Sequence, residues 1–209
     1  MKTQMKFQKI LAIISLVTAA VAIVISLFFC SGILNAIRMY SVEMQDGADL
    51  FKADALFVYS QKINDTLVIM SIILLLCSVA LIFMGCSKRR NYYISNYVTL
   101  GIYAAYALAF IIALLVISGK CFSLMNRIDF AEWKEYESTL IPGTDQLRYK
   151  QYYTKDCTTM VLLIVVAVVV LLEIAAWALA LVWKLKLMKG EKQLLANGGV
   201  SQVAEMEVA

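Results

Sequence analysis

The sequence predicts an all-α integral membrane protein: an antiparallel bundle of four transmembrane helices, both ends cytoplasmic, with two partly helical extracytoplasmic loops. Three observations predict it. Hydrophobic residues make up 62% of the 209 residues and charged ones 16%, more apolar surface than a soluble domain buries. The apolar residues gather in four blocks, 10–33, 66–84, 97–117 and 160–183. Each is about long enough to cross a hydrocarbon core of roughly 30 Å as a helix. The third observation is where Lys and Arg fall.

Lys2, Lys6 and Lys9 precede the first block, Lys88, Arg89 and Arg90 lie between the second and third, and Lys184, Lys186, Lys189 and Lys192 follow the fourth. Glu191 is the one acid close to these clusters. The two long connections carry nine basic and eleven acidic residues over a much greater length. By the positive-inside rule the segments 1–9, 85–96 and 184–209 face the cytoplasm, and the loops 34–65 and 118–158 face outward. The net charge of +4 then reflects topology. Nucleic-acid binding would need a basic domain, and the sequence has none.

The first span opens behind a short basic lead. Ala20-Val21-Ala22 has the look of a signal-peptide cleavage site, yet the apolar run continues through Ile23–Phe29, which predicts an uncleaved signal-anchor. Ala12, Ser15, Ala19, Ala22 and Ser26 recur at alternating steps of three and four, a stripe of small residues that lets a neighbouring helix approach with left-handed packing. Span two repeats the idea with Ser71, Ser78 and Gly85 at sevenfold steps, and Asp65 is expected to cap it. Span three offers two stripes. Gly101, Ala105, Ala109 and Ala113 follow the small-xxx-small spacing of close right-handed crossings, while Thr99, Tyr103, Tyr106 and Phe110 form a partly polar aromatic side. Either can face a partner helix.

The outer loops are aromatic. In the second, Phe130, Trp133 and Leu140 give 128–140 an amphipathic character, Pro142-Gly143 breaks the chain, and Tyr152 and Tyr153 lead into span four. These five are the candidate contacts of the outer face. Cys121 lies just after span three and Cys157 just before span four. On an oxidising side, adjacent antiparallel helices would bring them close, and a disulfide there would stabilise by about 4 kcal/mol. On the inner side, Lys88, Arg89, Arg90, Lys184 and Lys186 suit anchoring to anionic lipid headgroups.

Chemistry is restricted by what is missing. The chain has no histidine, no Cys-x-x-Cys, no Gly-rich phosphate loop and no Gly-x-Ser-x-Gly elbow, so neither an enzyme nor a metal or cofactor site is expected. The functional candidate is Glu173, the single ionisable residue of span four, near its midpoint. Insertion scales charge a central acidic residue about 2.5–3.5 kcal/mol, which the surrounding Val, Leu and Ile outweigh. Counting from the inner ends, Tyr106 lies nine residues from Tyr97 and Glu173 ten from Trp183, so the two share a depth in antiparallel helices. Thr18 falls at a similar level. The expected layer is therefore Glu173 hydrogen-bonded by Tyr106 and Thr18.

Such a layer has two readings. The carboxyl is a polar latch between helices or subunits, or it lines a water-filled path and handles a proton or cation. Span four supplies no second polar position along its face, which favours the latch. Four spans with both ends inside and a larger second outer loop resemble the layout of tetraspanins and claudins. The second outer loop lacks Cys-Cys-Gly and the first lacks a Trp…Cys…Cys arrangement, so no functional residue of either family carries over. The resulting expectation is an interaction protein of a cell membrane, with lipids, other copies of itself or another membrane protein as partners. The alternative is an oligomeric channel or an ion-coupled transport component built on Glu173. Scarce proline, many Lys and Ile and short tails point to a bacterial inner membrane.

Overall fold

The computed structural model describes residues 2–43, 54–85, 93–129, 131 and 157–196. The described residues are helical with short connecting turns, and no strand occurs among them. Four long helices follow one another: α1 (Lys2–Glu43), α2 (Asp54–Ala80), which ends in a π-helical turn over Leu81–Gly85, α3 (Tyr93–Met125) and α4 (Thr158–Ala196). Each contains a stretch long and apolar enough to cross a membrane: Lys6–Phe28, Val58–Phe83, Tyr97–Met125 and Thr158–Gly190.

The helices run past the apolar blocks that announce them. At 42 residues, α1 extends about 63 Å, roughly twice a hydrocarbon core. Backbone hydrogen bonding continues wherever propensity allows, whereas apolar composition marks only the lipid-embedded part. This difference corrects one expectation. Asp65 caps nothing, because α2 begins at Asp54 and Asp65 is an exposed residue within the helix.

Hydrophobicity does not separate the inward and outward faces. Leu76, Ile112, Leu172 and Leu179 are 61%, 62%, 64% and 70% exposed, surfaces that would drive aggregation in water but are solvated by lipid. Inward positions hold small and hydroxylated side chains beside large ones such as Leu67, Leu74 and Phe110. Ala12, Ser15, Ala19, Ala22 and Ser26 of α1 are all buried, as are Ser71 and Ser78 of α2. Buried positions in α3 (Tyr103, Ala107, Phe110, Leu114) and α4 (Leu163, Val170, Glu173, Trp177, Ala180) likewise advance by alternating threes and fours or by sevens. That is the seam of left-handed helix packing.

The seam explains why the other stripe of α3 turns outward. Gly101, Ala105 and Ala109 are exposed and Ala113 half-buried. Strict steps of four rotate by about 40° each, so such a stripe drifts off a seam whose repeat averages three and a half. The sevenfold aromatic pair Tyr103 and Phe110 stays on it, both 1% exposed.

By its internal contacts the chain divides into two compact units, each drawing on all four helices. One comprises Met1–Ala20, Ile72–Ile111 and Val168–Ala209, the other Val21–Ser71 and Ile112–Ala167. In the second unit Ser26 and Ser71 meet hydroxyl to hydroxyl at 3.0 Å. One hydroxyl donates across while the other donates to the carbonyl four residues earlier in its own helix, Ser26 to Ala22 at 2.7 Å or Ser71 to Leu67 at 2.9 Å, which satisfies hydroxyls that lipid cannot. The Lys120 ammonium lies 5.2 Å from the Tyr59 ring centre, a cation–π distance.

Cys121 and Cys157, also in this unit, are free thiols. The expected disulfide is not made, because α3 does not end before Cys121. The helix continues to Met125 and turns Cys121 into a fully buried core position.

The seam predicts unequal responses at adjacent alanines. Ala19→Leu forces a larger side chain into a fully buried position and should cost about 1–3 kcal/mol, while exposed Ala20→Leu should cost nothing measurable. Unfolding midpoints in mild detergent test this, and equal midpoints for the two variants would refute the assignment of inward faces.

Candidate functional site

The site lies in the first unit and grows from the register of α4. Val170, Glu173, Trp177 and Ala180 share its inward seam, so the single acid of the span points away from lipid and is 4% exposed. A buried carboxyl needs donors, and two helices provide one each. The Tyr103 hydroxyl of α3 donates to one carboxyl oxygen at 2.9 Å, and the Thr18 hydroxyl of α1 donates to the other. One carboxyl thus ties α1, α3 and α4.

A second polar contact lies one helical turn away. Trp177, four residues beyond Glu173 and therefore on the same face, donates its indole N–H to the Ser15 hydroxyl at 3.2 Å. The Ser78 hydroxyl of α2 shares its one proton between its own Leu74 carbonyl at 2.9 Å and the Ser15 carbonyl at 3.3 Å. All four helices therefore contribute. Nearer the N-terminus, buried Gln4 donates to the Ala180 carbonyl at 3.3 Å, and the Phe7 and Trp183 rings pack 6.1 Å apart at 54°. Along these contacts, residue numbers rise in α1 as they fall in α4.

Counting along the sequence pairs Tyr106 with Glu173; in the structure Tyr103, one turn earlier, makes that hydrogen bond. Tyr106 is half-buried. Counting from span ends fixes depth to within a turn, but the direction of a side chain follows from the seam, and Tyr103 is on it. Thr18 does reach Glu173. Ser15, Ser78 and Trp177 were not assigned to the polar layer, although the i,i+4 spacing of Glu173 and Trp177 and the serine periodicity of α2 are signals that place them there.

Other candidate residues fall elsewhere. Lys184 is half-buried and Lys186 exposed on α4. Phe130, Trp133, Leu140, Tyr152, Tyr153, Lys88, Arg89 and Arg90 lie outside the described residues. Among the described residues no group of three His, Cys, Asp or Glu side chains is placed to hold a metal ion.

No protein family matches the chain, and neither a curated protein nor a solved structure shows significant similarity to it. The chemistry of the layer is therefore argued from its own geometry. Two hydroxyl donors on opposite oxygens make a closed arrangement that orients the carboxyl and leaves neither oxygen without a donor. Hydrogen bonds of this kind between membrane helices contribute about 0.6 kcal/mol on average and up to about 1.7 kcal/mol.

A double-mutant cycle isolates the pair. Tyr103→Phe combined with Glu173→Leu should show a coupling of about 0.6–1.7 kcal/mol in unfolding free energy. The cycle with Tyr106→Phe should show none. Stronger coupling through Tyr106 than through Tyr103 would overturn the arrangement.

Proposed function

We propose that the protein is a four-span membrane interaction protein, an accessory subunit, scaffold or immunity-type protein of a bacterial inner membrane. In this reading the helices are antiparallel, both termini and the Lys88–Arg90 link are cytoplasmic, and the two long loops face outward. The clustering of Lys and Arg at one set of span ends supports that orientation.

The observation that carries the reading is the closure of Glu173. An acid that transports a proton or cation needs an oxygen open to water or to a second site. Here both oxygens accept hydroxyls from neighbouring helices, so the carboxyl is committed to holding the protein together. The capacity to interact then lies on the outside. Ala105 and Ala109 of α3 are exposed small residues, and a partner helix can approach closely there. The aromatic outer loops would supply further contacts with a partner.

One observation favours the second reading, an oligomeric channel or ion-coupled transport component. Gln4, Gln8, Ser15 and Ser78 are buried in the same unit as Glu173, an unusual polar content for a membrane core. Gln4 and Ser78 donate to backbone carbonyls, the pattern of groups being satisfied, so interaction remains the stronger reading.

Glu173→Gln separates the two, since an amide can keep hydrogen bonds to Thr18 and Tyr103 but cannot exchange a proton. The variant should assemble like the native protein when membranes are cross-linked and the complex is weighed in mild detergent. Ala105→Leu with Ala109→Leu should reduce the assembled fraction while leaving the subunit folded. Ion flux in liposomes that Glu173→Gln abolishes would reverse the ranking.

A further inference from the structure

We propose that Glu173 takes up a proton in place, on the oxygen that faces Thr18, and that Thr18 alone turns to keep the layer closed. The latch then holds in two charge states without passing a proton on. The inference rests on the latch reading of Glu173 and is independent of any partner.

The direction of each hydrogen bond carries the argument. An indole N–H can only donate, so at the Trp177 contact the Ser15 oxygen accepts. Ser15 is also a hydrogen-bond partner of Tyr103. The Tyr103 hydroxyl gives its one hydrogen to Glu173, so the hydrogen between the two hydroxyls comes from Ser15. Trp177, Ser15, Tyr103 and Glu173 thus form a one-way ring that leaves α4 at Trp177, crosses α1 and α3, and returns to α4 one turn away. Each hydroxyl that donates becomes a better acceptor, so the bonds of the ring reinforce one another. The ring ends on a Glu173 oxygen that has to accept.

A neutral carboxyl keeps one acceptor oxygen and gains one O–H donor. Placing that O–H on the Tyr103 side would reverse Tyr103 and Ser15 together, and would hand the hydrogen to a phenol oxygen, a weaker acceptor than an aliphatic hydroxyl. On the Thr18 side a single hydroxyl turns. Thr18 accepts the carboxyl hydrogen and sends its own to the Ile14 carbonyl four residues earlier, the kind of bond that Ser60 makes with the Leu56 carbonyl at 2.7 Å. The proton comes from water at a membrane surface and ends on the Thr18-facing oxygen, and no hydrogen of the ring moves. Around the layer, α3 adds Tyr106 and α2 adds Cys77, which interacts electrostatically with both tyrosines. Cys and Tyr side chains are ordinarily neutral at pH 7, so neither competes for the proton.

Infrared difference spectra of the full-length protein in liposomes, taken between high and low pH, read the site through the C=O stretch of a protonated carboxyl. The band that Glu173→Gln removes belongs to Glu173. In the proposed state Tyr103 donates to the C=O oxygen while Thr18 faces the O–H, and an accepted hydrogen bond weakens a C=O bond. Tyr103→Phe should therefore raise the frequency of the band more than Thr18→Val does, and Ser15→Ala should raise it less than Tyr103→Phe, since Ser15 acts through Tyr103. Thr18→Ser, which keeps the hydroxyl, should leave the band in place. A larger rise from Thr18→Val than from Tyr103→Phe puts the proton on the other oxygen and overturns the proposal. A Glu173 that gains no proton at any pH at which the protein stays folded overturns it as well. The coupling between Tyr103 and Glu173, measured by the double-mutant cycle at both pH values, should persist when the band is present. Coupling that vanishes as the band appears overturns the proposal and leaves the latch of the ionised form intact, whereas coupling absent at both pH values overturns the latch reading itself.

Discussion

A buried carboxyl without donors is among the most costly groups a membrane helix can carry, and the first unit is arranged so that Glu173 has two. In a soluble bundle, water exclusion would press helices together whatever their polar groups did. In lipid that force is absent between helices, because hydrocarbon solvates Leu and Val as well as a protein interior does. What holds the helices must therefore come from close packing and from polar groups that find no partner in lipid. The first unit uses both: the Ala12–Ala19 side of α1 allows close approach, and Thr18 and Tyr103 meet the acid.

The same principle governs the hydroxyl pattern away from Glu173. Ser26, Ser60, Ser71 and Ser78 are buried, and each donates to the carbonyl four residues earlier in its own helix. A serine so placed costs little because its hydroxyl is satisfied before any neighbour arrives. Its small volume brings helices together, and where two such serines meet, as Ser26 and Ser71 do, one hydroxyl turns from its own carbonyl to donate to the other. Alanine would pack as closely but would lack that contact. Serine thus adds a modest preference for one rotation of the helix without requiring a partner.

Much of this was readable from the sequence, and what was not has identifiable causes. Apolar blocks marked four spans because lipid imposes a minimum length, and the alternating steps of Ala12, Ser15, Ala19, Ala22 and Ser26 identified a face that is buried in the structure. Depth was readable too: residue counting put a tyrosine of span three at the level of Glu173. Rotation about the α3 axis was not, since two stripes competed and the seam depends on all four helices at once. Helix ends are hidden in the sequence for a different reason. Composition reports contact with lipid, and nothing in it stops a helix such as α3 from running on past Ile117 and carrying Cys121 into the core.

These points assign Glu173 a role beyond its hydrogen bonds. The lipid-facing and inward-facing residues of α4 are similarly apolar, so hydrophobicity hardly distinguishes one rotation of that helix from another. Val168, Val169, Leu171 and Leu172 would pack nearly as well as Val166, Ala167 and Val170. Turning Glu173 outward would expose the carboxyl to hydrocarbon at a cost of about 2.5–3.5 kcal/mol, and would leave Thr18 and Tyr103 without their acceptor. Sliding α4 by one residue relative to α1 and α3 incurs the same penalty, because consecutive residues lie about 100° apart. A single polar residue in an apolar seam fixes register in this way in coiled coils, at some expense in stability. Glu173 does so here with three helices, and Trp177 on Ser15 repeats the constraint a turn away.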